Sequence, residues 1–261
     1  MIDLVVTDLD GTLWGPEEVI HPRSLSALRQ VEQRGVPILV ATGRSRRLAY
    51  PILAQHEVTL DAALHDGALG ATTTGELFHH QPFDEGGLKR LLDTFGRVGL
   101  EPILEVDHPE VDFIVGERPN ISRPLSRPVL VTDLSQPLPM PVFRAIAVVE
   151  ADSVQPLMAE LLESEAGEAW AATSQFGDDF WLIVRPMACS KWSATLSYCA
   201  RVGADPKRVL AIGDGHNDRE LLAQAHVSVA VQGASEAVLA LADHVIEAPT
   251  RGGWAEVLDL L

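Results

Sequence analysis

The chain has 261 residues, 46% hydrophobic and 22% charged, enough for one large domain or a domain with a smaller companion around a real core. Its formal net charge of −17 repels nucleic-acid phosphate and anionic membrane alike, so neither is an expected partner, and an anionic substrate would need a local cationic pocket. Two cysteines, Cys189 and Cys199, form neither a disulfide framework nor a metal-type pair, no segment approaches the roughly 18 apolar residues of a spanning helix, and the N-terminus lacks a basic segment leading into an apolar stretch; together these read as a cytoplasmic protein.

In chain order, the apolar run at 2–7 reads as a buried strand feeding a loop, and Pro22, Leu25, Leu28, Val31 and Gly35 mark the following helix. A second buried strand at 36–41 breaks at Thr42-Gly43-Arg44. A helix at 45–56 must accommodate Pro51 by a kink or a delayed start. Short strands at 61–65 and 69–78 surround turns at Asp66-Gly67 and Thr74-Gly75. The middle changes character: helix at 84–98, strands at 101–106, 111–115 and 143–150, helix at 153–164, strands at 168–173 and 179–185. The loop at 116–142 carries Pro119, Pro124, Pro128, Pro137, Pro139 and Pro141 and reads as irregular. The last third returns to alternation: helices at 191–202, 217–225, 234–242 and 252–261 separate strands at 208–212, 226–231 and 243–246. Alternating strands and helices imply an α/β fold with a doubly wound, Rossmann-like parallel sheet, into which an α+β segment is inserted.

Chemistry concentrates at strand ends. Asp8-Leu9-Asp10-Gly11-Thr12 follows the first strand directly, where ligands of open parallel sheets bind. One carboxylate there can act as a nucleophile and a second can shuttle protons, although a bare D-x-D is more often a solvated strand end. Gly213-Asp214-Gly215-His216-Asn217-Asp218 follows another apolar strand, and its carboxylates are hard oxygen ligands suited to magnesium. The bland reading is an acidic loop capping the next helix, with His216 an ordinary loop histidine. Thr42, Gly43 and Arg44 offer a hydroxyl, a backbone N–H and a guanidinium to a phosphate. Lys191 opens a helix, where backbone N–H groups favour anions, and is otherwise a surface lysine.

The order DLDGT, TGR, a lysine before a helix and GDGHND resembles the haloacid dehalogenase (HAD) superfamily in its phosphatase branch. The long interval between Thr42 and Lys191 resembles the Cof-type subgroup, whose class IIB cap is inserted there; HDGALG at 65–70 and APTRGGWAEVL near the end extend the similarity over nearly the whole chain. The resemblance implies a catalytic core over 1–81 and 187–261 and a substrate-selecting α+β cap over 82–186. It further implies Asp8 as nucleophile, Asp10 as general acid and base, and Thr42, Gly43, Arg44, Lys191 and Asn217 as binders of phosphate or substrate. Mg2+ would be held by Asp8, Asp10 (through its carbonyl) and Asp214, with Asp218 supporting the site and orienting Lys191. The activity implied is hydrolysis of a small phosphorylated metabolite, a sugar phosphate or phosphorylated cofactor, through an aspartyl-phosphate, in a monomer or homodimer. Rival readings are phosphomutase-type transfer and a non-catalytic sensor, which should have lost one of these carboxylates. Two positions depart from the family pattern: Asp66 stands where asparagine is usual, and Trp192 follows the lysine where glycine is usual. Arg118, Arg123 and Arg127 of the proline-rich loop could greet a second anionic group, or simply relieve the global acidity.

Overall fold

The apolar residues after Ile2 form a strand, β1 (Leu4–Thr7), in which all four residues are buried, as a strand covered on both faces requires. The computed structural model describes residues 1–119, 125–173 and 180–261. From β1 the chain continues through α1 (Pro22–Gln33), β2 (Ile38–Ala41), α2 (Arg46–Gln55), β3 (Asp61–Leu64), β4 (Leu69–Ala71) and β5 (Leu77–His80). A second unit then comprises α3 (Glu85–Arg97), β6 (Ile103–Glu105), β7 (Phe113–Val115), β8 (Val129–Val131), β9 (Arg144–Val149), α4 (Ala151–Glu163), β10 (Glu168–Thr173) and β11 (Phe180–Arg185). The chain returns with α5 (Lys191–Val202), β12 (Val209–Gly213), α6 (Arg219–Gln224), β13 (Val227–Val231), α7 (Glu236–Leu239) and β14 (His244–Ile246). The units are Met1–His80 with Ser190–Leu261, and Gln81–Cys189.

In the first unit the eight strands lie in the order β14-β13-β12-β1-β2-β3-β4-β5. Strands from β14 to β3 are parallel, and β4 and β5 add an antiparallel edge. The early strands spread from β1 to one side and the late strands to the other, so the winding reverses between β1 and β12. That reversal opens a crevice at the carboxyl ends of these strands, the place where such sheets bind ligands. Leu4, Val6, Leu39, Val209 and Ala211 pack with Tyr198 and Cys199 of α5 and Leu221 and Leu222 of α6 into one buried cluster. Trp192 is among the partly buried residues packed against that cluster, so its indole is a packing group.

The inserted unit is a six-stranded sheet, β10-β11-β9-β6-β7-β8, with α3 and α4 supplying Leu91, Phe95, Val154, Leu157 and Leu161 to its core. Asp84 caps α3 by accepting from the amide of Gly87 at 2.7 Å. Within the loop expected to be irregular, Val129–Val131 forms β8, paired parallel with β7. Three residues between prolines carry too little periodicity to be read as a strand, and their pairing with Phe113–Val115 decides them.

At the C-terminus, the expected helix over 252–261 is instead a 3-10 helix over Gly253–Asp259, packed against α1. Trp254 and Val257 are both fully buried, and a spacing of three brings them to one face at three residues per turn. The helix expected over 234–242 is reduced to Glu236–Leu239, and the one over 217–225 begins with a 3-10 turn at His216–Asp218. Pro51 lies inside α2, which starts at Arg46 regardless. Cys189 and Cys199 are free and buried, and burial pushes the Cys199 thiol up to about 11. Among the described residues, no helix is long and apolar enough to cross a membrane.

Candidate active site

β1 and β12 run side by side in parallel with Thr7 beside Ile212, so the loops at 8–12 and 214–218 leave the same edge of the sheet. The amide of Asp8 continues the ladder by donating to the carbonyl of Ile212 at 3.0 Å. Its own carbonyl accepts from the Thr7 hydroxyl at 2.8 Å, and that hydroxyl accepts from the indole N–H of Trp254 at 3.0 Å. The nucleophile candidate thus stands on a buried chain of hydrogen bonds reaching the C-terminal segment. Gly11 turns the loop with φ +79, and a Cβ there would lie 2.2 Å from Asp214 Oδ2. Only glycine allows that approach. The turn also lets the Thr12 hydroxyl donate to Asp214 Oδ1 at 3.0 Å.

Lys191 is fully buried, and its ammonium donates to Asp8 Oδ1 at 2.7 Å and to Asp218 Oδ1 at 2.6 Å. It sits at the first position of α5, which is capped by a reciprocal pair: Ser190 Oγ accepts from the Ser193 amide, and Ser193 Oγ accepts from the Ser190 amide. The other oxygen of Asp218 accepts from the amides of Asp214 and Gly215 at 3.1 and 2.9 Å. Asp218 is therefore saturated by its own loop and by Lys191, and its geometry is that of a brace for both. Burial disfavours the Lys191 charge, but Asp218, Asp8 and Asp66 outweigh it and hold its pKa above the ordinary lysine value. Burial pushes Asp8 well above the usual carboxylate range; Lys191 opposes this, while Asp218 and Asp214 reinforce it. Asp214 is raised to about 6 by burial and by Asp218.

Asp8, Asp214 and Asp218 each present an oxygen within 4.8 Å of the others. Three carboxylates against one ammonium leave this pocket two negative charges in excess, and a divalent cation would neutralise them. The donors are all oxygens, as magnesium prefers. Asp8 and Asp214 fit the ion most directly, since both oxygens of Asp218 are engaged.

Asp10 is exposed, and both of its oxygens are engaged. Arg44 Nε donates to Oδ2 at 2.7 Å and Nη2 to Oδ1 at 2.5 Å, while the indole N–H of Trp14 donates to Oδ1 at 3.0 Å. Arg44 Nη2 also contacts Glu18 Oε1 at 2.6 Å, and its guanidinium lies 5.4 Å from the centre of the Trp14 ring. Arg44 was expected to serve a phosphate; in the structure it spans Asp10 and Glu18.

Thr42 is buried, with its hydroxyl oxygen accepting from the Arg44 amide at 3.1 Å, which leaves the hydroxyl proton available to a ligand. Gly43 lies inside that turn. The Thr42 carbonyl accepts from the Asp66 amide at 3.0 Å, tying the loop after β2 to the loop after β3. Asp66 is fully buried in the left-handed region at φ 58, which aspartate and asparagine tolerate better than most residues. Gly67 follows at φ +100 with space for a Cβ denied by the Ser190 carbonyl at 2.0 Å. Asp66 Oδ1 accepts from Asn217 Nδ2 at 2.6 Å, so the expected substrate-binding amide is directed to this carboxylate. His216 is exposed at the start of its 3-10 turn.

Sequence reasoning did not single out Thr12, Trp14, Glu18 or Trp254 as parts of this network. Only Thr12 had a local signal, as a hydroxyl directly after the glycine turn. In the inserted unit, Arg127 stacks 4.1 Å from the Phe113 ring centre and pairs with Glu105, while the Arg118 amide donates to Glu101; Arg123 and Pro124 lie outside the described residues.

Comparison with known proteins places the whole chain in one family. A family model described as haloacid dehalogenase-like hydrolase matches residues 5–258. A phosphoglycolate phosphatase from Methanopyrus kandleri is 28% identical over 99% of this chain and 96% of its own length. Among solved structures, a haloacid dehalogenase-like hydrolase from B. subtilis superposes with a TM-score of 0.82 at 18% identity, covering 100% of both chains. A subclass IIB sugar phosphatase superposes with a TM-score of 0.77 at 17% identity, covering 99% of this chain and 98% of its own.

Proposed function

The chain belongs to the haloacid dehalogenase-like hydrolase family and is a phosphoric monoester hydrolase; from that premise we propose that it acts with magnesium on a small phosphorylated metabolite, through an aspartyl-phosphate on Asp8. The observation that carries this reading is the buried Lys191 ammonium bridging Asp8 and Asp218, beside Asp214, at the crevice between β1 and β12.

An oxygen of Asp8 attacks phosphorus as the bond to the leaving oxygen breaks, and Asp10 delivers a proton to that oxygen. Water then attacks the aspartyl-phosphate, its proton passes to Asp10, and the Asp8 carboxylate and inorganic phosphate are released. The Thr42 hydroxyl and the Lys191 ammonium hold equatorial oxygens of the transferring group, since phosphoryl transfer asks mainly for positioning and neutralisation of spreading charge. Asp8, the Asp10 carbonyl and Asp214 would hold magnesium, which would supply further positive charge at the transferring group and favour the ionised form of Asp8. Substrate choice falls to the inserted domain at 82–186. The relative from Methanopyrus kandleri is named for phosphoglycolate, which supports a compact anionic substrate.

A phosphate-release screen over sugar phosphates, phosphoglycolate and phosphorylated cofactors, with and without magnesium, tests the reading. Magnesium-dependent release is expected, and Asp214→Asn should abolish it while the protein stays folded. Full turnover after exhaustive chelation would remove the metal from the mechanism, and no release from any member of the panel would defeat the hydrolase assignment.

A further inference from the structure

We propose that Glu18 is a positioning residue for the proton-transfer step, acting on Asp10 through Arg44; the proposal rests on the hydrolase mechanism above. Three observations converge on it. Glu18 Oε1 lies 2.6 Å from the same Arg44 Nη2 that meets Asp10 Oδ1, so one nitrogen is shared between the two carboxylates. The backbone of Glu18 is in the left-handed region at φ 57, which a residue with a Cβ adopts at a cost. That conformation is fixed from both sides, by the Glu18 amide donating to the Gly15 carbonyl at 3.0 Å and by the Glu18 carbonyl meeting His56 Nε2 at 2.9 Å. Glycine or asparagine would suit such a backbone better, so the local geometry does not by itself account for glutamate. What the glutamate adds is a carboxylate aimed at Arg44.

An arginine side chain has many rotamers, and a single exposed ion pair does little to restrict them. Asp10 is half exposed, and an arginine anchored to it alone would swing with it. Here Glu18 and the Trp14 ring hold the guanidinium from two other directions, and Trp14 reaches Asp10 as well. The loop at 14–20 is itself pinned by bridges from Trp14 to Asp10 and to Ile20. Glu18 and Arg44 therefore form a frame that fixes the direction of the Asp10 carboxyl. An acid that must place its proton on one leaving oxygen needs that fixed direction, since proton transfer is efficient only at hydrogen-bond geometry.

The test compares two substrates that differ in leaving-group basicity, p-nitrophenyl phosphate and phenyl phosphate, in wild type, Glu18→Gly and Glu18→Gln. Glu18→Gly removes the carboxylate while relieving the backbone, so its thermal midpoint should equal or exceed that of wild type. Its kcat/KM for phenyl phosphate should fall about tenfold further than its kcat/KM for p-nitrophenyl phosphate, since this ratio reads the leaving-group step rather than hydrolysis of the shared phosphoenzyme; that is a part of the 10²–10⁴ that acid–base catalysis contributes. Glu18→Gln, which keeps an acceptor for Arg44, should recover most of the extra loss on phenyl phosphate. Equal losses on the two substrates, a loss that tracks a lowered midpoint, or a Glu18→Gln no better than Glu18→Gly would each overturn the positioning role. If wild type hydrolyses neither compound nor any member of the metabolite panel, the hydrolase reading fails first, and the proposal with it.

Discussion

Replacing Lys191 by methionine isolates the central electrostatic feature of the site. Methionine keeps most of the volume of the stem, so the cavity contribution is small and the perturbation is chiefly the loss of a charge. That charge is fully buried and serves two carboxylates, Asp8 at 2.7 Å and Asp218 at 2.6 Å. Removing one partner of a buried pair costs about 3–5 kcal/mol, because the remaining charge is left uncompensated, and here two are left. A loss of that size lowers the thermal midpoint by roughly 10 °C for a protein of this length. The loss depends on pH, and its sign follows from Asp8. Its folded pKa is raised, so the stability contributed by its protonated form is complete below the unfolded value and is lost as pH rises through the folded value. Without Lys191 to oppose that shift, the variant should be closest to wild type in acid and fall away towards neutrality. In wild type the raised pKa of Lys191 contributes stability that is complete below the ordinary lysine value and is lost as pH rises from there through the folded value. Denaturation of metal-free protein from acid to neutral pH would measure this. Adding Asp218→Asn to Lys191→Met should recover part of the loss, since it removes one stranded charge. A Lys191→Met protein as stable as wild type at neutral pH, or a double variant whose losses simply add, would refute the reasoning.

Three further outcomes follow from the same geometry. Asp8→Asn should form no phosphoenzyme with any substrate, whereas Asp10→Asn should form one slowly from an aryl phosphate and hydrolyse it more slowly still; rapid-quench trapping of label on Asp8→Asn but not on Asp10→Asn would reverse the two roles. Gly11→Ala places a Cβ against Asp214 Oδ2 in a left-handed turn, so activity should be lost together with about 1–3 kcal/mol of stability, read by urea denaturation. Asp66→Asn keeps a side chain suited to φ 58 and an acceptor for Asn217, but removes a buried negative charge that acts on Lys191. It should tighten inhibition by inorganic phosphate severalfold, and an unchanged or weaker inhibition constant would show that the charge is not felt at the phosphate position.

The strand ends were legible in the sequence because they combine two strong local signals: a short apolar run long enough only for a buried strand, and a glycine-containing acidic turn directly after it. Asp8, Asp10, Asp214 and Asp218 could be picked out for that reason, and so could the alternation implying a parallel sheet. The change of pattern near residues 82 and 186 suggested the inserted segment in the same way, since there strand-like runs follow one another without the strict alternation with helices seen in the flanking halves, and all of its strand pairs but β7–β8 are antiparallel. β8 was not legible, because three residues among prolines become a strand only through pairing with β7. The terminal segment is legible as a helix over 252–261 but not as to its type, because burial of Trp254 and Val257 against the core selects the tighter 3-10 turn over Gly253–Asp259.

The inventory of reactive groups and the edge of the sheet they leave from are written in patterns that span only a few residues. Which charge meets which is set by the folded chain alone. Lys191 is 183 residues from Asp8 and 27 from Asp218 along the chain, yet donates to both. Arg44 spans Asp10 and Glu18, Asn217 turns to Asp66, and Trp254 supports Asp8 through Thr7. Those partnerships depend on side-chain directions fixed by packing around the crevice between β1 and β12. A charge has no period along a chain and is recognised only by its neighbours in space.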